Sequence, residues 1–302
     1  MIDEKLSFQQ ENDLVLNYIL ETGILNKIKN YNSYNENMGI KDNYFIELNI
    51  TPICNQKCDY CYLVKYGNEL YPPEIRGEEN ILNNLKIYLN YLIENNINPY
   101  RIDLFSGEIW GMKFGNKVFD IILDYIENKN LKIKLIMIPS NMSFLTNNKT
   151  TKIIENYIAR FKMADVNFKF SASFDGKYID SDSRSYKDEK KNSLKSNDEF
   201  YEKLFSFCKQ YNYGFHPMVG AYKIENWKEN YKWFHEMMKK YALDYKNYIM
   251  FLEVRNDYWT QKKINHYIDF LNYTFDYEIE NYYGNDPKRF FYEYIADKNN
   301  FN

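Results

Sequence analysis

From residue 43 onward the sequence alternates short apolar runs with longer segments whose apolar residues recur every three or four positions, and few folds satisfy that pattern. The short runs predict six strands, over 44–50, 101–106, 133–139, 167–174, 214–222 and 248–254. Between and after them, helical faces are expected at Ile81/Leu85/Tyr88/Leu92, Val118/Ile122/Tyr125/Ile126, Ile153/Ile154/Tyr157/Ile158/Phe161, Phe200/Leu204/Cys208/Tyr211, Trp227/Tyr231/Phe234/Met238/Tyr241 and Ile264/Tyr267/Ile268/Leu271/Phe275. Strand, helix, strand in strict alternation gives parallel pairing through right-handed crossovers. The fold class expected is therefore α/β, a parallel sheet either open or curled into a partial (β/α)6 TIM-like barrel, with its functional loops at the C-terminal ends of the strands.

The first of those loops holds the densest chemistry in the chain. TPICNQKCDYCYL follows the first strand directly and carries Cys54, Cys58 and Cys61 at the spacing C-x3-C-x2-C. Three thiolates on one short loop can converge on a soft metal, and three ligands to a four-iron cluster leave one iron open to a substrate. A structural zinc site closes with four ligands. Here His216, His235 and His266 are remote in sequence, and Cys208 lies on a core-facing helical stripe. Zinc is the weaker fit, and buried thiols without metal are the remaining alternative.

Four cysteines in 302 residues, three of them clustered, do not resemble a secreted disulfide framework, so a reducing compartment is expected. The N-terminus shows no basic stretch followed by an apolar run, and no segment approaches the roughly 18 apolar residues of a membrane span. A cytoplasmic protein with no membrane partner follows. A net charge of −3 supplies no field for a polyanion, so no nucleic-acid partner is indicated. Around the α/β core (43–275), a helical N-terminal extension and linker are expected over 1–42 and a tail over 276–302. The charged stretch 177–198 is a candidate lid, or a solvated insertion.

C-x3-C-x2-C, with aromatic Tyr60 before the last cysteine, resembles the cluster loop of radical S-adenosylmethionine (SAM) enzymes. The resemblance spans 43–275. It implies a [4Fe–4S] cluster whose open iron is chelated by the amino and carboxylate groups of S-adenosyl-L-methionine, and whose electron releases a 5′-deoxyadenosyl radical that abstracts hydrogen from a substrate.

Other strand ends match family motifs in part. Ser106-Gly107-Glu108 resembles the Gly-Gly-Glu that receives the cofactor's ammonium group, with Ser106 in place of the first glycine; alone, such a triplet would read as a turn. Ser140 and Asn141 are similar to a Thr-Asn-Gly whose polar groups meet ribose or carboxylate. Ser171-Ala172-Ser173-Phe174-Asp175-Gly176, with Arg184 downstream, resembles the peptide-modifying, sulfatase-maturase-like branch. There the resemblance places Ser171 and Ser173 near the ribose and pairs Arg184 with the cofactor carboxylate.

Tyr60 joins the cofactor set, as does Val219, which with Met218 and Gly220 on the fifth strand is placed near the adenine or the substrate; ordinary strand residues are the alternative. Glu253 and Arg255 on the sixth strand share that reading, whereas Tyr62 and Trp110, in active-face loops, are weaker candidates, since aromatics make up 19% of the chain. His216, beside Pro217, reads as structural. No cysteine follows Cys208, so the auxiliary clusters of that branch are not expected. The implied partners are a peptide or protein substrate and an electron donor such as a flavodoxin or ferredoxin. A non-catalytic cluster- and SAM-binding regulatory module, favoured by Ser106, and a zinc-stabilised binding protein are the competing readings.

Overall fold

Strands β1 (Phe45–Glu47), β2 (Arg101–Asp103), β3 (Leu135–Ser140), β4 (Asn167–Ala172) and β5 (Gly214–Phe215) form one sheet, in the order in which the chain makes them. The computed structural model describes residues 45–72, 76–105, 107–179, 183–191, 198–215, 217–244, 252–253, 259–282 and 284. The expected N-terminal helix lies outside them. The chain divides into two compact units, 1–45 and 46–302, and the architecture described is essentially that of the second.

β2, β3, β4 and β5 pair in parallel, with the longest register running from Leu135↔Asn167 to Ser140↔Ala172. Beyond β1, Leu48 N–H donates to the Asp103 carbonyl (2.8 Å) and Ile50 N–H to that of Phe105 (3.2 Å), extending the sheet toward its C-terminal end. Two further strands, β6 (Met218–Val219) and β7 (Leu252–Glu253), pair in parallel as a second sheet. The expected α/β class is the one observed, with five strands in a sequentially ordered parallel sheet.

Two strands depart from the sequence expectation, and one is the sixth: of 248–254 the described residues Leu252–Glu253 pair in the second sheet and add no strand to the first. The run 214–222 is broken into β5 and β6 at Pro217, which has no N–H for a ladder, and the chain passes there from one sheet to the other. Met218 N–H is used elsewhere, on the Asp175 carboxylate (2.9 Å).

Seven helices lie among the described residues: α1 (Tyr62–Leu70), α2 (Glu78–Glu94), α3 (Gly115–Lys129), α4 (Asn148–Met163), α5 (Asp198–Tyr211), α6 (Trp227–Lys240) and α7 (Gln261–Tyr282). Helices α2 to α6 bury residues of the expected stripes: Ile81, Leu85 and Leu92 on α2, Val118 and Ile122 on α3, Ile154 and Phe161 on α4, Leu204 and Cys208 on α5, Phe234 and Met238 on α6. The core between sheet and helices is aromatic, as in the stacked pairs Trp110/Phe119 (centroids 4.6 Å apart) and Phe161/Phe168 (4.8 Å).

Helix α7 corrects the expectation. Ile264, Ile268, Leu271 and Phe275 of its proposed apolar stripe are exposed, whereas Phe270 is buried against Trp227 and Tyr231 in a second core cluster with Ile179, Val219 and Ile224. Of the expected stripe Tyr267 does pack: with Tyr273 and Tyr277 it lies against that cluster, so the tyrosines rather than the aliphatic residues share the packed face. No helix among the described residues is long and apolar enough to cross a membrane.

Candidate functional site

The cysteine loop is held from both sides by backbone pairing. On one side Gly107 N–H donates to the Thr51 carbonyl (2.7 Å) and Glu108 N–H to that of Ile53 (2.9 Å), so the end of β2 runs directly beneath the loop. A Cβ at position 107 would lie 2.4 Å from the Ile53 carbonyl oxygen. Glycine there serves the approach of two backbones.

On the other side, Lys57 N–H donates to the Ser185 carbonyl (2.8 Å), Asp59 N–H to Ser183 (3.1 Å) and Lys187 N–H to Asn55 (3.0 Å), around an antiparallel bridge between Gln56 and Tyr186. Within the stretch expected to be a lid or a solvated insertion, 183–187 is instead a strap laid along the cysteines.

The loop ends at Cys61, the N-cap of α1, whose carbonyl accepts from Val64 N–H (3.0 Å). All four cysteines are free thiols; Cys58 is buried and Cys54 and Cys61 are half-buried. Gln56 N–H (3.4 Å) and Asn141 Nδ2 (3.8 Å) donate to Cys54 Sγ, and Cys58 Sγ donates to Gln56 Oε1 (3.7 Å). Burial, reinforced by the nearby charge of Glu108, pushes the Cys54 thiol up to about 12. A bound cation reverses that balance.

Among the described residues no three Cys, His, Asp or Glu side chains close on a single ion. The thiolates of an iron–sulfur cluster bind different irons, so their sulfurs stand further apart than ligands of one ion. Cys208 is buried on α5, its thiol pushed up by that burial.

The ends of β2 and β3 meet beside Cys54. Glu108 is 1% exposed, and its carboxylate accepts from Ser140 Oγ (3.1 and 3.2 Å), from Asn141 N–H (2.7 Å) and from the Trp110 N–H. Burial, only partly offset by these donors, raises its pKa to about 7. A carboxylate offers about four acceptor positions, so three donors leave room for one more. Asn141 Nδ2 also donates to Asn55 Oδ1 (2.8 Å), and Asn55 Nδ2 to Ser143 Oγ (2.7 Å), tying the cysteine loop to the end of β3.

β4 contributes Ser171, whose buried hydroxyl has no hydrogen-bond partner among the described residues, and half-buried Ser173, whose N–H extends the sheet to the Ser140 carbonyl (2.7 Å). Asp175 follows, fully buried. It accepts from Tyr60 OH (2.7 Å), Ser183 Oγ (3.1 Å), Met218 N–H (2.9 Å) and Arg184 Nη1 (3.3 Å), and Arg184 Nη1 also donates to the Tyr60 hydroxyl. Burial raises the Tyr60 hydroxyl's pKa more than the Arg184 charge lowers it.

The structure thus brings Cys54, Cys58, Cys61, Tyr60, Gly107, Glu108, Ser140, Asn141, Ser171, Ser173 and Arg184 to one end of the sheet. Arg184 faces Asp175 and Tyr60, with its guanidinium 5.7 Å from the Tyr60 ring centre. Val219 lies in the second core cluster, Trp110 stacks on Phe119, and Tyr62 is exposed on α1. Ser106, His216, Arg255 and the side chain of Glu253 lie outside the described residues. Sequence reasoning assigned no role to Asp175, Asn55, Gln56 or Asn230. Asp175 stood inside a motif already singled out, whereas Asn55 and Gln56 gave only their position between two cysteines as a signal. A cavity of about 260 Å3 opens beside the loop, lined by Tyr60, Cys61, Tyr62, Tyr66, Met218 and Gly220 among others.

No protein-family model and no curated protein matches the chain. Solved structures do. His-tagged anSMEcpe with bound AdoMet, an anaerobic sulfatase-maturating enzyme, superposes with a TM-score of 0.50 at 17% identity, over 80% of this chain and 60% of that one. The chain shares the fold of that enzyme. Native anSMEcpe with bound AdoMet and the Cp18Cys peptide is 19% identical (TM-score 0.49), covering 80% and 61% of the two chains. The present chain therefore spans about 60% of the length of these structures.

On that fold, three thiols on one loop are a donor set that suits a soft metal. Three reduced thiols share the loop after β1, and the unpartnered hydroxyl of Ser171 awaits a polar ligand at the same end of the sheet.

Proposed function

We propose that this chain is a radical SAM enzyme in which Cys54, Cys58 and Cys61 hold a [4Fe–4S] cluster and the neighbouring strand ends hold S-adenosyl-L-methionine. The observation that carries the reading is the placement of three free thiols on one doubly braced loop at the C-terminal end of β1, within a radical SAM fold. When bound, the reduced cluster and cofactor supply one-electron cleavage of a sulfonium C–S bond, giving methionine and a 5′-deoxyadenosyl radical that takes hydrogen from the substrate.

The chain's own residues bind, orient and shield. Glu108 has an acceptor position left for an ammonium group, and a cation there would favour its ionised form. Ser140, Asn141, Ser171 and Ser173 present hydroxyl and amide groups at the same level. Tyr60, held between Asp175 and Arg184, helps to keep water from that end of the sheet.

A peptide or protein side chain is the substrate class this reading favours, with a flavodoxin or ferredoxin as electron donor and the cytoplasm as the compartment. Anaerobic reconstitution with iron and sulfide, followed by a 5′-deoxyadenosine assay, tests the activity. Wild-type protein is expected to release 5′-deoxyadenosine under reducing conditions, and Cys58→Ala to lose both the brown colour and the cleavage. Wild-type protein that binds iron and sulfide without cleaving the cofactor would refute the enzymatic reading, and full cleavage by Cys58→Ala would refute the ligand assignment.

A further inference from the structure

We propose that Asp175 is a positioning residue that seats the strap 183–187 on the cysteine loop, so that the loop is ordered before any metal reaches it. The geometry of this brace is independent of the cluster; its purpose rests on the function proposed above.

The carboxylate of Asp175 is fully buried and takes donors from three separate segments. Tyr60 OH comes from the cysteine loop, Ser183 Oγ and Arg184 Nη1 from the strap, and Met218 N–H from β6. A carboxylate has about four acceptor positions and no donor, so it suits a point where four donors converge, and no uncharged side chain of its size does. Its own backbone is fixed from behind. The Asp175 carbonyl accepts from Asn230 Nδ2 on α6 (2.7 Å), and Gly176 turns the chain at φ +110°, where a Cβ would lie 2.2 Å from Asn230 Oδ1. The carboxylate is thus presented by two rigid elements, β4 and α6, to two segments with little regular structure of their own.

Removing that charge disturbs both segments. Arg184 is 6% exposed, and its pairing with Asp175 offsets the cost of holding a buried guanidinium. Without the carboxylate, Arg184 is better solvated outside, and it takes Ser183 and Ser185 with it. Lys57 and Asp59 then lose the carbonyls that their N–H groups use in the strap, and Tyr60 loses its anchor between Cys58 and Cys61. A loop held in place beforehand spares metal binding the cost of ordering it.

Hydrogen exchange of the metal-free protein, read by mass spectrometry, tests this without any cluster or activity. Asp175→Asn keeps the shape but turns an amide donor toward converging donors. Amides of 55–59 and 183–187 are expected to exchange about tenfold faster or more, while β3 and β4 keep wild-type protection. Wild-type exchange in both segments would overturn the proposal. Should Asp175→Asn lose protection across β3 and β4 as well, Tyr60→Phe decides, since it deletes one hydroxyl and leaves the charge pair in place: faster exchange confined to the two segments supports the brace, and unchanged exchange overturns it. A protein that shows the local effect yet builds no cluster would sink the proposed function alone. One that cleaves the cofactor while Asp175→Asn leaves exchange unchanged would sink the brace alone.

Discussion

Glu108 is a carboxyl group removed from water, and its titration reports that burial. Its pKa is raised from 4.5 to about 7, so its contribution to the stability of the metal-free protein is complete below pH 4.5 and is lost as pH rises through 7. The melting temperature of wild type relative to Glu108→Gln should therefore fall across that window, whatever constant offset the amide introduces. A difference that stays flat from pH 4.5 to 7.5 would contradict the burial argument.

The same residue shows what sequence can reveal at this scale. Cys54, Cys58 and Cys61 were legible from their own spacing, C-x3-C-x2-C on one stretch after the first strand, and Glu108 from its place five positions beyond β2, because strand ends follow from local periodicity. The partnership of Tyr60, Asp175 and Arg184 was not. Tyr60 and Arg184 stand 124 positions apart, and only the strap brings them together. In a charged stretch such as 177–198, an arginine at a buried ion pair and one in solvent look alike.

At the scale of elements, periodicity succeeded wherever one apolar face was clearly richer than the rest. Helices α2 to α6 satisfy that condition. Helix α7 does not: two faces compete, and the aliphatic one lost to the tyrosine-rich one because Trp227 and Tyr231 on α6 offer an aromatic surface to pack against. The energetic consequence is measurable. Phe270→Ala should destabilise the protein by about 3–5 kcal/mol, as truncations of fully buried aromatics do. Ile268→Lys should change stability by no more than about 0.5 kcal/mol, because that side chain is half exposed. Denaturant unfolding of the two variants checks both; a larger loss from Ile268→Lys than from Phe270→Ala would restore the original face.

Two other elements escaped the sequence for local reasons. Helix α1 begins directly at the last cysteine and contains Gly67, so its short apolar pattern was read as part of the loop. The break between β5 and β6 was hidden by the apolar residues on either side of Pro217. That proline nevertheless interrupts the ladder there, because it has no N–H to donate, and the next N–H, that of Met218, goes to Asp175.

For the whole molecule, chain order and spatial order coincide from β1 to β5, so each crossover adds one strand and one loop to the same end of the sheet. That regularity is why the alternation alone sufficed for the fold class, and why the polar residues at successive strand ends form one site. Substrate is another matter: the walls beyond the cysteine loop are built from aromatics such as Tyr62, Tyr66 and Tyr222, whose abundance throughout the chain left no recognisable pattern.

The central claim is that three cysteines of this fold hold a four-iron cluster with one iron open to S-adenosyl-L-methionine. Electron paramagnetic resonance of the anaerobically reconstituted, reduced protein, recorded with and without the cofactor, tests it most directly. The account predicts a reduced [4Fe–4S] signal whose g-values shift when the cofactor is added. A signal identical in both samples, or protein that carries zinc and no iron, would contradict it.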